Sequence, residues 1–182
     1  MRGRIRAFAL LLALAVTSLG ILGGCSDARD FEAQPMTAVA YGSLDPTEIA
    51  QELVKSAATE SKMVNLDASS IPSYYSFDNA LVEEAVVYMS TDSSCADEVA
   101  VFQMVEGADE SPVIMAIDSR MQSKERAFRS ISPTEYEKLL DAVQVSVSGY
   151  VVLAVTAYPD TARSVIAEML YQPIAPASDA EP

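Results

Sequence analysis

An α+β fold is what this sequence predicts: a mostly antiparallel sheet of about four strands from two hairpins, with helices packed against it. Three observations carry that prediction. Segments with apolar residues at helical spacing alternate with pairs of short segments rich in β-branched and aromatic residues. Each pair is joined by a short run of Ser, Asp or Gly, which suits a hairpin. The chain has 182 residues, half of them hydrophobic, enough for one domain with a real core.

The first helix is predicted at about 46–62. Asp45 can cap it, Pro46 suits its first position and Glu48 completes a capping-box arrangement. Ile49, Ala50, Leu53, Val54, Ala57 and Ala58 then recur at helical spacing. Met63 to Phe77 is interrupted by Pro72, with Tyr74, Tyr75 and Phe77 set to pack from a loop or a short helix. Glu84–Met89 and Glu98–Val105 read as a hairpin across Ser90–Asp97. A second helix is expected at about 112–128, capped by Ser111, with Ile114, Ile117, Met121 and Phe128 on one face. A short helix at about 133–141 opens with the capping box Ser132-Pro133-Thr134-Glu135. Val143–Val147 and Tyr150–Ala157 form a second hairpin around Ser148-Gly149, where Gly supplies a positive φ. A last helix is expected at about 160–171, burying Ala162, Val165, Ile166, Met169 and Leu170.

The domain plan has four parts. Residues 1–24 are a leader, 25–44 a flexible tether, 45–171 the globular domain and 172–182 a disordered tail with three Pro in the segment from Gln172. The leader has a basic zone with Arg2, Arg4 and Arg6, then 16 residues from Ala7 to Leu22, shorter than the roughly 20 that span a bilayer. The alternating arginines do not indicate the twin-arginine export route. It ends Leu22-Gly23-Gly24-Cys25, a run that resembles the lipobox of bacterial lipoproteins. That resemblance implies diacylglycerol on the Cys25 sulfur and cleavage before it, and two acyl chains hold a protein stably on a membrane. The alternative is an ordinary secreted protein with an incidental Cys. The tether, about 19 residues, would reach roughly 25 Å.

Along the globular part the chain resembles a known family. The stretches are Ala96-Asp97-Glu98-Val99-Ala100-Val101-Phe102, then Arg120 with Gln122 and Phe128, then Ser132-Pro133-Thr134-Glu135-Tyr136, and Gly149-Tyr150-Val151-Val152-Leu153. In order and spacing they are similar to the bacterial lipoprotein domain catalogued as domain of unknown function 4358, over about residues 45–171. The chain departs from it at Ile131, where an aromatic is usual, and in a Gly-Tyr turn without an intervening polar residue. The resemblance implies location and fold and brings no activity.

Composition removes several mechanisms. There is no His, so no Ser-His-Asp triad, Cys-His pair or His-ligated zinc or haem. Without the leader's three Arg, 9 basic and 26 acidic groups leave a formal charge of −17, which opposes nucleic-acid binding. After residue 24 only Gly42, Gly107 and Gly149 remain, too few for a phosphate-cradling loop. If Cys25 carries lipid, Cys95 is the only thiol left and reads as structural or incidental. Asp92-Ser93-Ser94-Cys95-Ala96 begins like a D-x-S-x-S metal site, but Ala96 stands where the second Ser is required. Asp92, Asp97 and Glu98 remain a weak candidate cation site against a solvated turn. The pairs Glu83-Glu84 and Glu135-Glu137 read as solvated surface. No catalytic, cofactor or metal residue is assigned.

Arg120 stands out. It lies on the flank of the apolar seam, so its stem can cover apolar surface while its guanidinium reaches Asp97 or Glu98. One reading is an ion pair fixing helix against sheet; the other is an anion-recognising arginine in a groove. Lys124 shares that flank, and Arg126 and Arg129 point away. The function expected is a lipid-anchored, extracytoplasmic, non-enzymatic binding or interaction module of the cell envelope, with an envelope protein as possible partner and no nucleic acid. The alternative is a small hydrolase using carboxylates with a weakly bound divalent cation. A third reading makes the negative charge itself a solubility device or a lure for cations.

Overall fold

The computed structural model describes residues 36–56 and 62–173. Cys25, the leader, the first part of the expected tether and the tail from residue 174 lie outside the described residues. The elements are β1 (Met36–Ala38), α1 (Pro46–Ser56), β2 (Met63–Asn65), two 3₁₀ turns (Ala68–Ser73 and Asn79–Leu81), β3 (Val82–Ser90), β4 (Glu98–Met104), α2 (Ser111–Phe128), α3 (Pro133–Leu140), β5 (Val143–Val147), β6 (Tyr150–Val155), α4 (Pro159–Leu170) and β7 (Tyr171–Pro173).

The two expected hairpins, β3–β4 and β5–β6, meet through β4 and β6 in one antiparallel sheet. That sheet has five strands, ordered β2-β3-β4-β6-β5, and a separate pair joins β1 to β7. The expected count of about four strands therefore falls short. β2 adds to the edge at β3, in the stretch where Pro72 obscured the pattern. Apolar side chains on both faces of β4 and β6 go into two cores, because helices cover both sides. One core holds Ala100, Phe102, Val151 and Leu153 with residues of α2, α3 and the first 3₁₀ turn. The other holds Val99, Val101, Val152 and Ala154 with residues of α1 and α4. The two strand–strand–helix passages thus send their helices to opposite faces.

Local chemistry accounts for most boundaries. Asp45 Oδ1 accepts from the Thr47 N–H at 2.7 Å at the start of α1. α1 is described to Ser56, residues 57–61 with the expected Ala57 and Ala58 lie outside the described residues, and β2 starts at Met63. Ser111 is the first residue of α2 and not its cap; Asp109 Oδ1 takes the Ser111 N–H instead, at 3.0 Å. Ser132 caps α3 by accepting from the Glu135 N–H. Ser148 and Gly149 both have positive φ, 52° and 83°, as a two-residue hairpin turn with the twist of its strands requires.

Part of the segment expected to be an irregular tether is structured. Met36–Ala38 pairs with Tyr171–Pro173, and the Val39 N–H donates to the Leu170 carbonyl at 3.0 Å. The Gly42 N–H reaches the Ser148 carbonyl, and the Tyr41 hydroxyl donates to the Met104 and Val105 carbonyls. Tyr150 receives the Leu44 N–H on its hydroxyl and donates to the Leu44 carbonyl, each at 2.7 Å. Residues 36–45 therefore strap across one end of the sheet, where the β5–β6 turn lies. Glu98, which faces Met89 and Val155, lies at the other end.

Candidate functional site

Strand alternation sends Glu98, Ala100 and Phe102 to the face that α2 covers. Glu98 is fully buried, although it is the first residue of its strand. A buried carboxylate costs several kcal/mol unless it is paired and hydrogen-bonded. Here the bonds come from two places outside its own strand, α2 and the residue pair after the first 3₁₀ turn. Arg120 of α2 donates through Nε to Oε1 at 3.2 Å and through Nη2 to Oε2 at 3.0 Å. Lys124, one turn later, donates to Oε2 and to the Ala96 carbonyl, each at 2.6 Å. The Tyr75 hydroxyl, just past the first 3₁₀ turn, donates to Oε1. No buried side-chain polar atom of the described residues lacks a partner.

The electrostatics follow from one anion shared by two cations. Burial works to raise the Glu98 carboxyl, but the Lys124 and Arg120 charges prevail and hold it below its ordinary value. Burial lowers Lys124 from its ordinary value, and the Arg120 charge adds to that, outweighing what Glu98 returns. Burial next to the Glu98 charge pushes Tyr75 well up, so its hydroxyl stays a donor.

Asp97 goes elsewhere. It pairs with the buried Lys138 of α3 at 3.2 Å, and Lys138 also meets Glu135 at 3.0 Å. Burial opposes the Lys138 charge, yet the Glu135 and Asp97 bonds raise its pKa above the ordinary value. Glu135 accepts the Ala96 N–H at 2.6 Å, so it is not the solvated carboxylate expected. Asp92 stays exposed and accepts from the Ser94 N–H and hydroxyl of its own turn. The three carboxylates Asp92, Asp97 and Glu98 thus serve three different sets of donors. A metal-like grouping lies beside them instead: Cys95 Sγ and one oxygen each of Asp97 and Glu135 sit within 4.8 Å of one another. The Lys138 ammonium, bonded to both carboxylates, already supplies the positive charge there.

Above Glu98 opens a cleft of about 370 Å³, within the range of small-ligand sites. Arg120, Ser123 and Lys124 of α2 line it together with Asp92, Ser93 and Cys95 of the β3–β4 connection. Tyr74 lines it as well, its ring centroid 5.0 Å from the Arg120 guanidinium carbon. Sequence reasoning reached Arg120 and Glu98 but missed Tyr75 and the burial of Lys124 and Lys138. Their signal was present in part: Lys124 follows Met121 by three and precedes Phe128 by four, so it shares their buried face.

A family model described as Domain of unknown function (DUF4358) matches residues 55–156, more than half of the chain. The chain belongs to that family. The DUF4358 stretch contains β2 to β6 with α2 and α3, and so every residue that lines the cleft. The match is narrower than the expected 45–171 and leaves most of α1, all of α4 and the β1–β7 pair outside it. No curated protein and no solved structure matches. No helix among the described residues is long and apolar enough to cross a membrane.

Proposed function

We propose that the chain is a lipid-anchored protein on the extracytoplasmic face of the cell membrane, its globular domain a non-enzymatic binding module of the envelope. One observation carries the binding role. The cleft lies at the Glu98 end of the sheet, and the chain enters the described body at Met36, at the opposite end. An anchor upstream of Met36 then leaves the cleft at the free end, open to a partner in the envelope.

The chemistry of the cleft supports binding over catalysis. General acid–base work needs a carboxyl that changes protonation near the operating pH. Glu98 is driven the other way, and Asp97 and Glu135 are tied to Lys138. The carboxylate hydrolase is the second reading, and the Cys95, Asp97 and Glu135 grouping is what favours it. A cation there would first have to displace the Lys138 ammonium.

The anchor is tested by feeding cells a labelled fatty acid. The wild-type chain is expected to take up label and to sediment with membranes. A Cys25→Ser chain should do neither, and its continued labelling and sedimentation would refute the anchor.

A further inference from the structure

We infer that the Tyr74–Arg120 cleft is a binding site for an organic carboxylate, an inference that rests on the binding-module reading and names its ligand chemistry. At the floor of the cleft one carboxylate, Glu98, faces both a guanidinium and an ammonium. Tyr75 adds a neutral hydroxyl, so this group of bonded side chains carries one positive charge in excess. Two other acids, Asp92 and Asp97, also line the cleft. Asp97 is bonded to Lys138, and Asp92 stands in solvent, turned to its own Ser94.

The guanidinium is also incompletely used. Nε and Nη2 are bonded to Glu98, whereas Nη1 has no partner among the described residues. The Arg120 side chain is one-fifth exposed and lines the cleft. Its plane is fixed on one side by Glu98 and on another by the Tyr74 ring. A planar donor held in this way loses little freedom when a carboxylate binds, which is how preorganisation raises affinity. Ser93 and Ser123 bring hydroxyls, and Met89, Ala127 and Phe128 bring apolar surface. That lining fits a small acid with a short apolar body, whether a free metabolite or the C-terminus of a peptide.

The full chain, purified in detergent, is titrated with N-acetylalanine, with its neutral amide and with inorganic phosphate, while amide and Arg side-chain NMR signals are followed. N-acetylalanine is expected to shift the signals of Arg120, Ser123 and Cys95 saturably, and its amide is not. Binding of a dipeptide only when its C-terminus is free, and more tightly than N-acetylalanine, would assign the peptide source; equal binding assigns the free acid. Ser123→Glu, at an exposed position beside Arg120, places a carboxylate in the cleft and should weaken binding about tenfold or more. Asp92→Asn removes the acid at the mouth and should tighten binding about two- to threefold. Equal binding of acid and amide overturns the carboxylate chemistry and leaves the binding module standing. Binding unchanged by Ser123→Glu overturns the location. No saturable shift with any acid overturns the site, and the Cys25 labelling result is independent of all three.

Discussion

Glu98 and Lys124 are bonded to each other, yet their removal should have unequal effects. Glu98→Ala leaves the buried Lys124 and the half-buried Arg120 without their anion, and breaking a buried pair from one side costs about 3–5 kcal/mol. Lys124→Met gives up its bonds to Glu98 and to the Ala96 carbonyl but leaves Glu98 paired with Arg120 and Tyr75, and it relieves a buried ammonium, so a smaller loss of about 1–2 kcal/mol is expected. Urea unfolding at neutral pH measures both, and equal losses would contradict the pairing. Carried to acid, the same measurement tests the Glu98 titration. Its folded-state pKa lies below the ordinary carboxylate value, so the folded protein binds fewer protons than the unfolded chain in that range. The stabilisation is complete above the ordinary value and is lost as pH falls through the folded one. Glu98→Gln should flatten that part of the acid limb. Tyr75 sets the opposite limb: its raised pKa gives stability present below pH 10 and lost as pH rises beyond it.

The strap and the hairpin turn form one device. Gly149 has φ +83°, and a Cβ on it would lie 2.6 Å from the Tyr41 ring. Gly149→Ala should therefore cost about 1–3 kcal/mol through backbone strain and the lost seat of Tyr41. Hydrogen exchange locates the damage. The Val39 and Gly42 amides, bonded to Leu170 and Ser148, should exchange faster by a larger factor than those of β4. Uniform acceleration would mean that the strap is not a separate unit. The elements also show what a sequence reveals. The Ser148-Gly149 turn and the Ser132 cap are local signals, and the structure uses both. β1, β2 and β7 have three residues each and owe their conformation to a distant partner, so no local periodicity could announce them. The cleft divides in the same way. Arg120 and Glu98 are legible as a flank residue and a strand-end acid. Tyr75 and Lys138 gain meaning only once helix and sheet are packed.

At the scale of the whole molecule, the two ends of the sheet differ. β4 has seven residues, so about 20 Å separates its Glu98 end from its Met104 end. The strap and the entering chain occupy the Met104 end, and the cleft occupies the other. With the proposed lipid on Cys25, ten residues intervene before Met36, and they cannot span more than about 36 Å even fully extended. That length bounds how far the Met104 end can move from the bilayer and lets the Glu98 end lie about 20 Å farther out. The acidic domain, repelled by an anionic surface, should keep its free end outward. Two exposed positions report this: Glu106, just past β4, and Ser93, at the mouth of the cleft. In a Cys95→Ser background, each is changed to Cys and labelled with a fluorophore on the lipidated protein in vesicles. Quencher lipids should dim the label at Glu106→Cys more than the label at Ser93→Cys. Raising the salt should narrow the difference, because the repulsion that favours one orientation is screened. Equal quenching at low salt would mean that the domain has no preferred end. The reverse order would place the cleft against the membrane and make a lipid headgroup, not an envelope partner, its natural occupant.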